Sequence, residues 1–289
     1  MATPLIVSGD YKNKHITIYG EIHNHINQTF YDTLDLNGKS IWVEHSNQLD
    51  DLLPEHDHFF INAKGLEWIW FTRKKQHLPV KCIDTRIQMG LLSRIEELGI
   101  QTLLDKVDSL ESMIDAIIQF IPKVEQVQQQ FAKLIELSFI EPYDYIFEKL
   151  LNNILNQKSE IEKTLLKSMT SELLEELHTT CMNLYTNLVD ISSILVDIVI
   201  ISFIEKYKGT DPIHLFVGFN HAIRLQQLLG LQVTHDMKDI PEGFNVSERR
   251  QRLLAQLQKP SESKSSVSDV DGGRKSKRKT RSKTRSKLN

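Results

Sequence analysis

The chain has 289 residues, of which 40% are hydrophobic and 25% are charged, and its formal net charge is -3. This length and composition allow one large domain, alone or with an appendage, and exclude collagen-like, mucin-like and wholly disordered proteins. The two cysteines, Cys82 and Cys181, are too few for a disulfide framework and favour a reducing compartment. The first ten residues lack a basic stretch and a long apolar stretch, so we predict no secretory signal and an intracellular, cytoplasmic location.

The first 88 residues contain short β-rich runs separated by polar segments. Residues 15–19, 40–43 and 78–83 are apolar and each is followed by polar residues, which predicts three strands. Between the second and third runs, Leu66, Ile69 and Trp70 stand at helical spacing and predict a helix over 63–75. This order favours the α/β class, with residues 1–88 as the first α/β half.

The middle of the chain, residues 89–208, consists mainly of helix-forming residues. We predict four or five helices there, forming a large insertion that packs on the α/β part. Its most apolar stretch, 188–204, is a candidate membrane span, but it contains Asp190 and Asp197. Central carboxylates cost about 2.5–3.5 kcal/mol each on membrane insertion, and a span needs roughly 20 apolar residues. We therefore predict a buried core helix and no membrane span.

Residues 209–260 predict a second α/β part with a closing helix. An apolar strand over 213–217 precedes a helix over 222–229, which ends at Gly230. A short strand over 231–233 and a last helix over 247–258 follow, the latter with Ser247 as its N-cap.

The last 29 residues, 261–289, differ from the rest in composition and charge. They hold ten basic and three acidic residues, a charge of +7, whereas residues 1–260 hold 25 basic and 35 acidic residues, a charge of -10. With almost no apolar residue, this tail is predicted to be disordered. It can contact the phosphates of nucleic acid or another polyanion, act as a nuclear-import signal, or only keep the protein soluble. In composition it resembles the basic ends of proteins of large DNA viruses.

Polar side chains collect where the predicted strands end. In chain order, these candidates are Glu21, His23, Glu44, His45, Asp84, Arg86, Asn220, His221 and Arg224. Ligands of open α/β sheets bind at the carboxyl ends of the strands, so parallel neighbouring strands would bring these groups into one crevice. Imidazole and carboxylate groups can bind a divalent metal or activate water directly, and a guanidinium can stabilise an oxyanion. A single histidine after a strand is more often an ordinary loop residue, but the repetition at four strand ends favours a shared site.

Two GxxH motifs suggest a family. Gly20-Glu21-Ile22-His23 and Gly218-Phe219-Asn220-His221 each follow a strand, and the helical block separates them. This arrangement resembles the TIKI/TraB superfamily, which includes haem-binding ChaN-like proteins and erythromycin-esterase-like hydrolases. The resemblance covers about residues 11–233, and it implies an α/β fold with a mostly parallel sheet and a helical insertion. The predicted absence of a secretory signal and the basic tail depart from the family pattern.

The resemblance also implies roles for individual residues. His23 and His221 would be the paired histidines, and Glu21 and Glu44 the acids. Arg86 would be a further catalytic group, and Asp84 would correspond to the acidic residue at the end of the third predicted strand. The first hypothesis is a hydrolase of a small-molecule or peptide substrate, in which these residues activate water directly or through a divalent metal held by His23, His221 and Glu44. Arg86 or Arg224 would then stabilise the oxyanion or orient the substrate. The alternatives are a haem- or metal-binding module without turnover, and an interaction protein that uses its helical block and tail.

Overall fold

The computed structural model describes residues 1–23, 25–46, 64–85, 129, 144–165 and 170–258. Everything stated about structure below concerns these residues. Three of the sequence predictions lie outside them, wholly or in part: Arg86, much of the helical block 89–208, and the basic tail 261–289.

Six strands and six helices make up the described part of the chain. In chain order they are β1 (Leu5–Tyr11), β2 (Lys14–Glu21), α1 (Gln28–Asp32), β3 (Ser40–Ser46), α2 (Leu66–Lys75), β4 (Lys81–Asp84), α3 (Asp144–Leu165), α4 (Ser171–Lys206), β5 (Ile213–Gly218), α5 (Phe219–Leu229), β6 (Gln232–His235) and α6 (Val246–Leu257). The strands form one sheet in the order β4-β3-β5-β2-β1-β6. The predicted α/β class is therefore confirmed.

Four neighbouring strands of the sheet are parallel, and the two strands at one end are antiparallel to their neighbours. Strands β4, β3, β5 and β2 pair in parallel, whereas β1 is antiparallel to both β2 and β6. The expectation of a mostly parallel sheet is thus confirmed. All six residues of β5 are buried, as expected for a strand with parallel neighbours and covered faces.

The hairpin between β1 and β2 is a feature that the sequence analysis missed. Lys12 and Asn13 connect the strands with φ of 47° and 64°, so that Tyr11 pairs with Lys14. Two successive left-handed residues are typical of a type I′ turn, which matches the twist of an antiparallel pair. Gly9 and Asp10 interrupt the apolar pattern of β1, and the strand signal there is correspondingly weak.

Helices cover both faces of the sheet. On one face, Ile18 and Leu215 belong to a core that continues into α4, α5 and α6. On the other face, Tyr19 and Phe216 pack with Trp70 of α2. Alternate residues of β2 and β5 thus point into two separate cores, as the period of a strand requires.

The long helix α4 belongs to the first of these cores. Among the described residues it is the one helix long and apolar enough to cross a membrane, over Glu175–Lys206, but 71% of its most apolar window is buried inside the structure. Its contacts with α3, α5 and β4 explain this burial. The structure therefore agrees with the prediction of a core helix.

Two predicted helix boundaries are wrong. Helix α5 begins at Phe219, three residues before the predicted start, which places Asn220 and His221 in its first turn. Helix α6 begins at Val246, and its N-cap is Asn245, whose side-chain oxygen accepts a hydrogen bond from the Glu248 N–H at 3.0 Å. Ser247 lies inside the helix, because the capping geometry suits Asn245 two residues earlier.

Close packing at Gly20 explains the first glycine of the GxxH pair. A Cβ atom at this position would lie 2.4 Å from the Cβ of Ala222, so α5 crosses β2 with no room for a side chain. We expect Gly20→Ala to lower the free energy of unfolding by about 1–3 kcal/mol through overpacking. Urea denaturation measures the loss.

The double variant Gly20→Ala/Ala222→Gly is the matched control for this clash. It removes the facing methyl group and should recover part of the lost stability, although glycine in a helix costs about 1 kcal/mol. A double variant less stable than the single variant would show that the Cβ clash is not the cause.

The imidazole of His214 is buried on β5 and titrates abnormally. The hydroxyl of Tyr19 lies within hydrogen-bond distance of His214 Nδ1, at 3.0 Å, and burial raises the pKa of Tyr19 to about 12, so the phenol stays protonated. Burial lowers the pKa of His214 to about 4, with smaller contributions from Lys39 and His15. The unfolded chain binds a proton near pH 6.5 that the native protein binds only near pH 4.

Stability should therefore fall as the pH drops from about 6.5 to 4, by no more than about 3 kcal/mol from this group. The variant His214→Phe keeps a ring at this position and removes the titration. Urea denaturation across this range should show its stability rising relative to the unmodified protein as the pH falls. Parallel curves for the two proteins would contradict the assignment.

Candidate active site

Four of the five predicted catalytic residues line one cavity. Strand register places Glu21 of β2 directly beside Gly218 of β5, so the two GxxH motifs meet at the carboxyl ends of adjacent parallel strands. The cavity there has a volume of about 460 Å³. Its wall includes Glu21, His23, Glu44 and His221.

Glu21 holds the ring of His23 from a buried position. The Tyr31 hydroxyl donates to Glu21 Oε2 at 2.7 Å, and the Leu66 N–H donates to the same oxygen at 3.1 Å. The other oxygen, Oε1, lies 3.2 Å from His23 Nδ1. This hydrogen bond raises the pKa of His23 above its ordinary value, although burial opposes it. Glu21 therefore fixes the orientation of the ring, with Nδ1 turned to the carboxylate and Nε2 turned away from it.

Gly218 leaves the room that His23 and Glu44 occupy. A Cβ at Gly218 would lie 2.9 Å from His23 Nε2 and 3.4 Å from Glu44 Oε2. The Gly218 N–H donates to Glu44 Oε2 at 2.6 Å, at the start of α5. A carboxylate at a helix N-terminus is stabilised by the free N–H groups and the helix dipole. The glycine of the second motif thus brings the two acid–base groups towards one point.

His221 lies between two carboxylates. Its Nε2 is 3.1 Å from Glu44 Oε1, and its Nδ1 is 2.5 Å from Asp197 Oδ1. Burial alone would lower the pKa of His221, but the two carboxylates outweigh it and raise the pKa to about 9. The ring is therefore an imidazolium at neutral pH, with both N–H groups donated to acids.

The sequence analysis missed Asp197 as a site residue. Asp197 comes from α4 and is fully buried, and its second oxygen forms an ion pair with Arg224 Nε. Arg224 also donates to Ser193 Oγ at 2.5 Å. A carboxylate in an otherwise apolar core helix needs a buried partner. Asp197 was therefore recognisable from the sequence as a residue with a buried cationic partner, and not only as evidence against a membrane span.

Arg224 does not face the cavity, contrary to the expectation that it stabilises an oxyanion. It is fully buried behind His221 and is engaged by Asp197 and Ser193. Two cations, His221 and Arg224, and two carboxylates, Glu44 and Asp197, form a cluster without net charge. Such pairing is required to offset the cost of removing these groups from water.

Two other predicted residues, His45 and Asp84, lie away from the cavity. His45 follows Glu44 on β3, so it points to the opposite face, where its ring meets Trp70 edge-on at 5.4 Å. Asp84 is buried at the end of β4 and is not part of the cavity wall. Arg86 lies outside the described residues.

The last helix contributes an arginine that no sequence pattern singled out. Arg249 of α6 lines the cavity, and its Nε donates to Asn220 Oδ1 at 2.9 Å. Its Cζ lies 5.1 Å from the ring centre of Phe244. Helix α6 is rich in arginine, so composition alone does not distinguish Arg249 from its neighbours.

A divalent metal fits the donor types of this site but not their spacing. His23 and His221 each turn Nδ1 to a carboxylate, which is how ligating histidines are commonly oriented. In the part of the chain that the structure describes, however, no group of three or more His, Cys, Asp or Glu side chains is placed to hold a metal ion. His221 Nε2 faces Glu44 at 3.1 Å as a proton donor, so we derive no step through a metal.

Comparison of the chain with models of protein families, with curated proteins and with solved structures yields no match in any of the three. Membership of the TIKI/TraB superfamily stays a prediction carried by the two GxxH motifs.

The buried cluster makes a testable prediction about α4. Asp197→Ala leaves the charges of Arg224 and His221 without their shared partner, so we expect a loss of about 3–5 kcal/mol in the free energy of unfolding. Asp190→Ala is the matched control, two turns earlier on the same helix, and removes a hydrogen bond from the amide of Gln256. That change should cost about 1 kcal/mol. Equal losses in urea denaturation would contradict the cluster.

Proposed function

We propose that the protein is a hydrolase that activates water at the Glu21–His23 pair, without a bound metal. The observation that carries this proposal is the orientation of His23. Its Nδ1 faces a buried carboxylate at 3.2 Å, and its Nε2 lies on the Gly218 side of the ring, in the cavity wall. A ring nitrogen oriented by a carboxylate on its other side is the usual arrangement of a general base.

The proposed reaction is the hydrolysis of an ester or lactone. His23 Nε2 takes a proton from a water molecule as its oxygen attacks the acyl carbon. Glu21 keeps the Nδ1–H directed away from the cavity and stabilises the imidazolium that forms. The acyl–oxygen bond then breaks, and His23 returns the proton to the leaving oxygen, which gives a carboxylic acid and an alcohol.

His221 and Glu44 have a different part in this proposal. Asp197 and Glu44 hold the His221 imidazolium, so this histidine is not available as a base. It instead holds the Glu44 carboxylate in the cavity wall, where the Gly218 N–H also donates to that carboxylate. A volume of about 460 Å³ suits a small-molecule substrate.

The variant His23→Ala tests the proposed base. General acid–base catalysis contributes about 10²- to 10⁴-fold, so we expect hydrolysis of 4-nitrophenyl esters to fall by that factor. The variant should stay folded, because the His23 side chain is 59% exposed. His25→Ala is the matched control: it removes an exposed histidine two residues further along and should leave the rate unchanged.

Retained activity in His23→Ala would overturn the proposal. Metal content separates the route without metal from its alternatives, and it is measured by elemental mass spectrometry on untagged protein. About one divalent metal per chain, lost in His23→Ala/His221→Ala, would favour a metal-dependent hydrolase or a metal-binding module. A haem titration that shifts the Soret band, without turnover of any ester, would favour the haem-binding alternative.

A further inference from the structure

The guanidinium of Arg249 is held in place at the cavity wall. Asn220 Oδ1 accepts its Nε–H at 2.9 Å, and its Cζ lies over the ring of Phe244, 5.1 Å from the ring centre. Phe244 is itself packed edge-on against Phe219, with ring centres 5.6 Å apart. The group is therefore held by one hydrogen bond and one ring contact, which limits the conformational entropy that it loses on binding a ligand.

The other edge of Arg249 is available to a ligand. Within the described residues no acceptor is hydrogen-bonded to either terminal nitrogen, Nη1 or Nη2. Burial lowers the pKa of Arg249, and the neighbouring charge of Arg252 adds to this effect, while Asp190 opposes it. The positive charge of Arg249 is therefore only partly balanced by neighbouring acidic groups at this partly buried position.

We infer that Arg249 binds a carboxylate of the substrate, so that the enzyme acts on acyl compounds that carry a single negative charge. This inference rests on the proposed hydrolase function. Two terminal nitrogens of a guanidinium match the two oxygens of a carboxylate in a bidentate pair. Glu21 and Glu44 also line the cavity, and their charges disfavour a more highly charged anion such as a phosphate monoester.

Asn220 connects this binding group to the proposed chemistry. It stands next to His221 in the first turn of α5, and both residues line the cavity together with His23. A substrate held by its carboxylate at Arg249 would thus be bound in the same cavity as the water-activating pair. Arg249 would be a specificity-determining residue, and the removal of its charge should affect charged and neutral substrates differently.

The test compares two esters of equal chain length. The mono-4-nitrophenyl ester of glutaric acid carries a free carboxylate where 4-nitrophenyl valerate carries a methyl group. We expect kcat/KM to be about ten- to hundredfold higher for the charged ester, as for a hydrogen bond to a charged group. Arg249→Met should remove this preference through a higher KM for the charged ester, with kcat/KM for the valerate ester falling much less.

Arg252→Met is the matched control, because it removes the same charge one helical turn later. Arg252 lines a neighbouring cavity with Phe244 and Arg249 but is not part of the candidate site. Its variant should keep the preference for the charged ester. Loss of the preference in both variants would indicate a general effect of positive charge and overturn the specific role of Arg249.

Calorimetric titration with glutaramate, the monoamide of glutaric acid, which carries one negative charge, separates the two proposals. Binding that Arg249→Met weakens at least tenfold, in a protein that hydrolyses neither ester, would support carboxylate recognition and contradict the hydrolase. Hydrolysis of both esters at equal rates, with no glutaramate binding, would overturn the inference and leave the hydrolase in place. Neither hydrolysis nor binding would contradict both.

Discussion

The rest of the site depends on the ion pairs that the carboxylate of Asp197 forms. It lies fully buried in α4 and joins His221 and Arg224, two cations of the next helix of the core. An unpaired charge at this depth would cost several kcal/mol, so α4 and α5 have to pack with these groups in contact. The position of His221 then determines where Glu44 lies, because its second nitrogen faces that acid at 3.1 Å.

Two histidines in matching motifs have unlike surroundings. His221 is enclosed by Asp197 and Glu44, and both of its nitrogens have a carboxylate partner. His23 is paired with the Glu21 carboxylate, and its side chain is 59% exposed. Proton transfer to and from a substrate needs an accessible nitrogen, and therefore the proposed mechanism assigns the base to His23 and the positioning of Glu44 to His221.

The glycines of the motifs act through packing. Gly20 allows α5 to approach β2, where a Cβ would meet Ala222, and Gly218 leaves space for His23 Nε2 beside Glu44. Both requirements arise from the parallel pairing of β2 with β5, which places Glu21 next to Gly218. The glycines of both motifs are therefore needed where α5 packs closely against β2 and β5.

Much of the fold and part of the candidate site followed from local patterns along the chain. Short β-rich runs and helical spacing predicted the α/β class, and polar residues at strand ends selected Glu21, His23, Glu44 and His221. These patterns are informative because strand alternation, helical periodicity and the location of sites at strand ends depend on neighbours in sequence or on a general property of parallel sheets.

Long-range contacts account for the features that the sequence patterns left open. Asp197 is 24 residues from His221, and Arg249 reaches Asn220 from 29 residues away. No periodicity in the sequence indicates such pairs, because the packing of whole helices against the sheet decides which distant side chains come into contact. The chain's local patterns therefore specify its strands, its helices and the chemical types at the strand ends. The packing of α4 and α6 specifies which imidazole is enclosed, which is accessible, and which arginine faces the cavity.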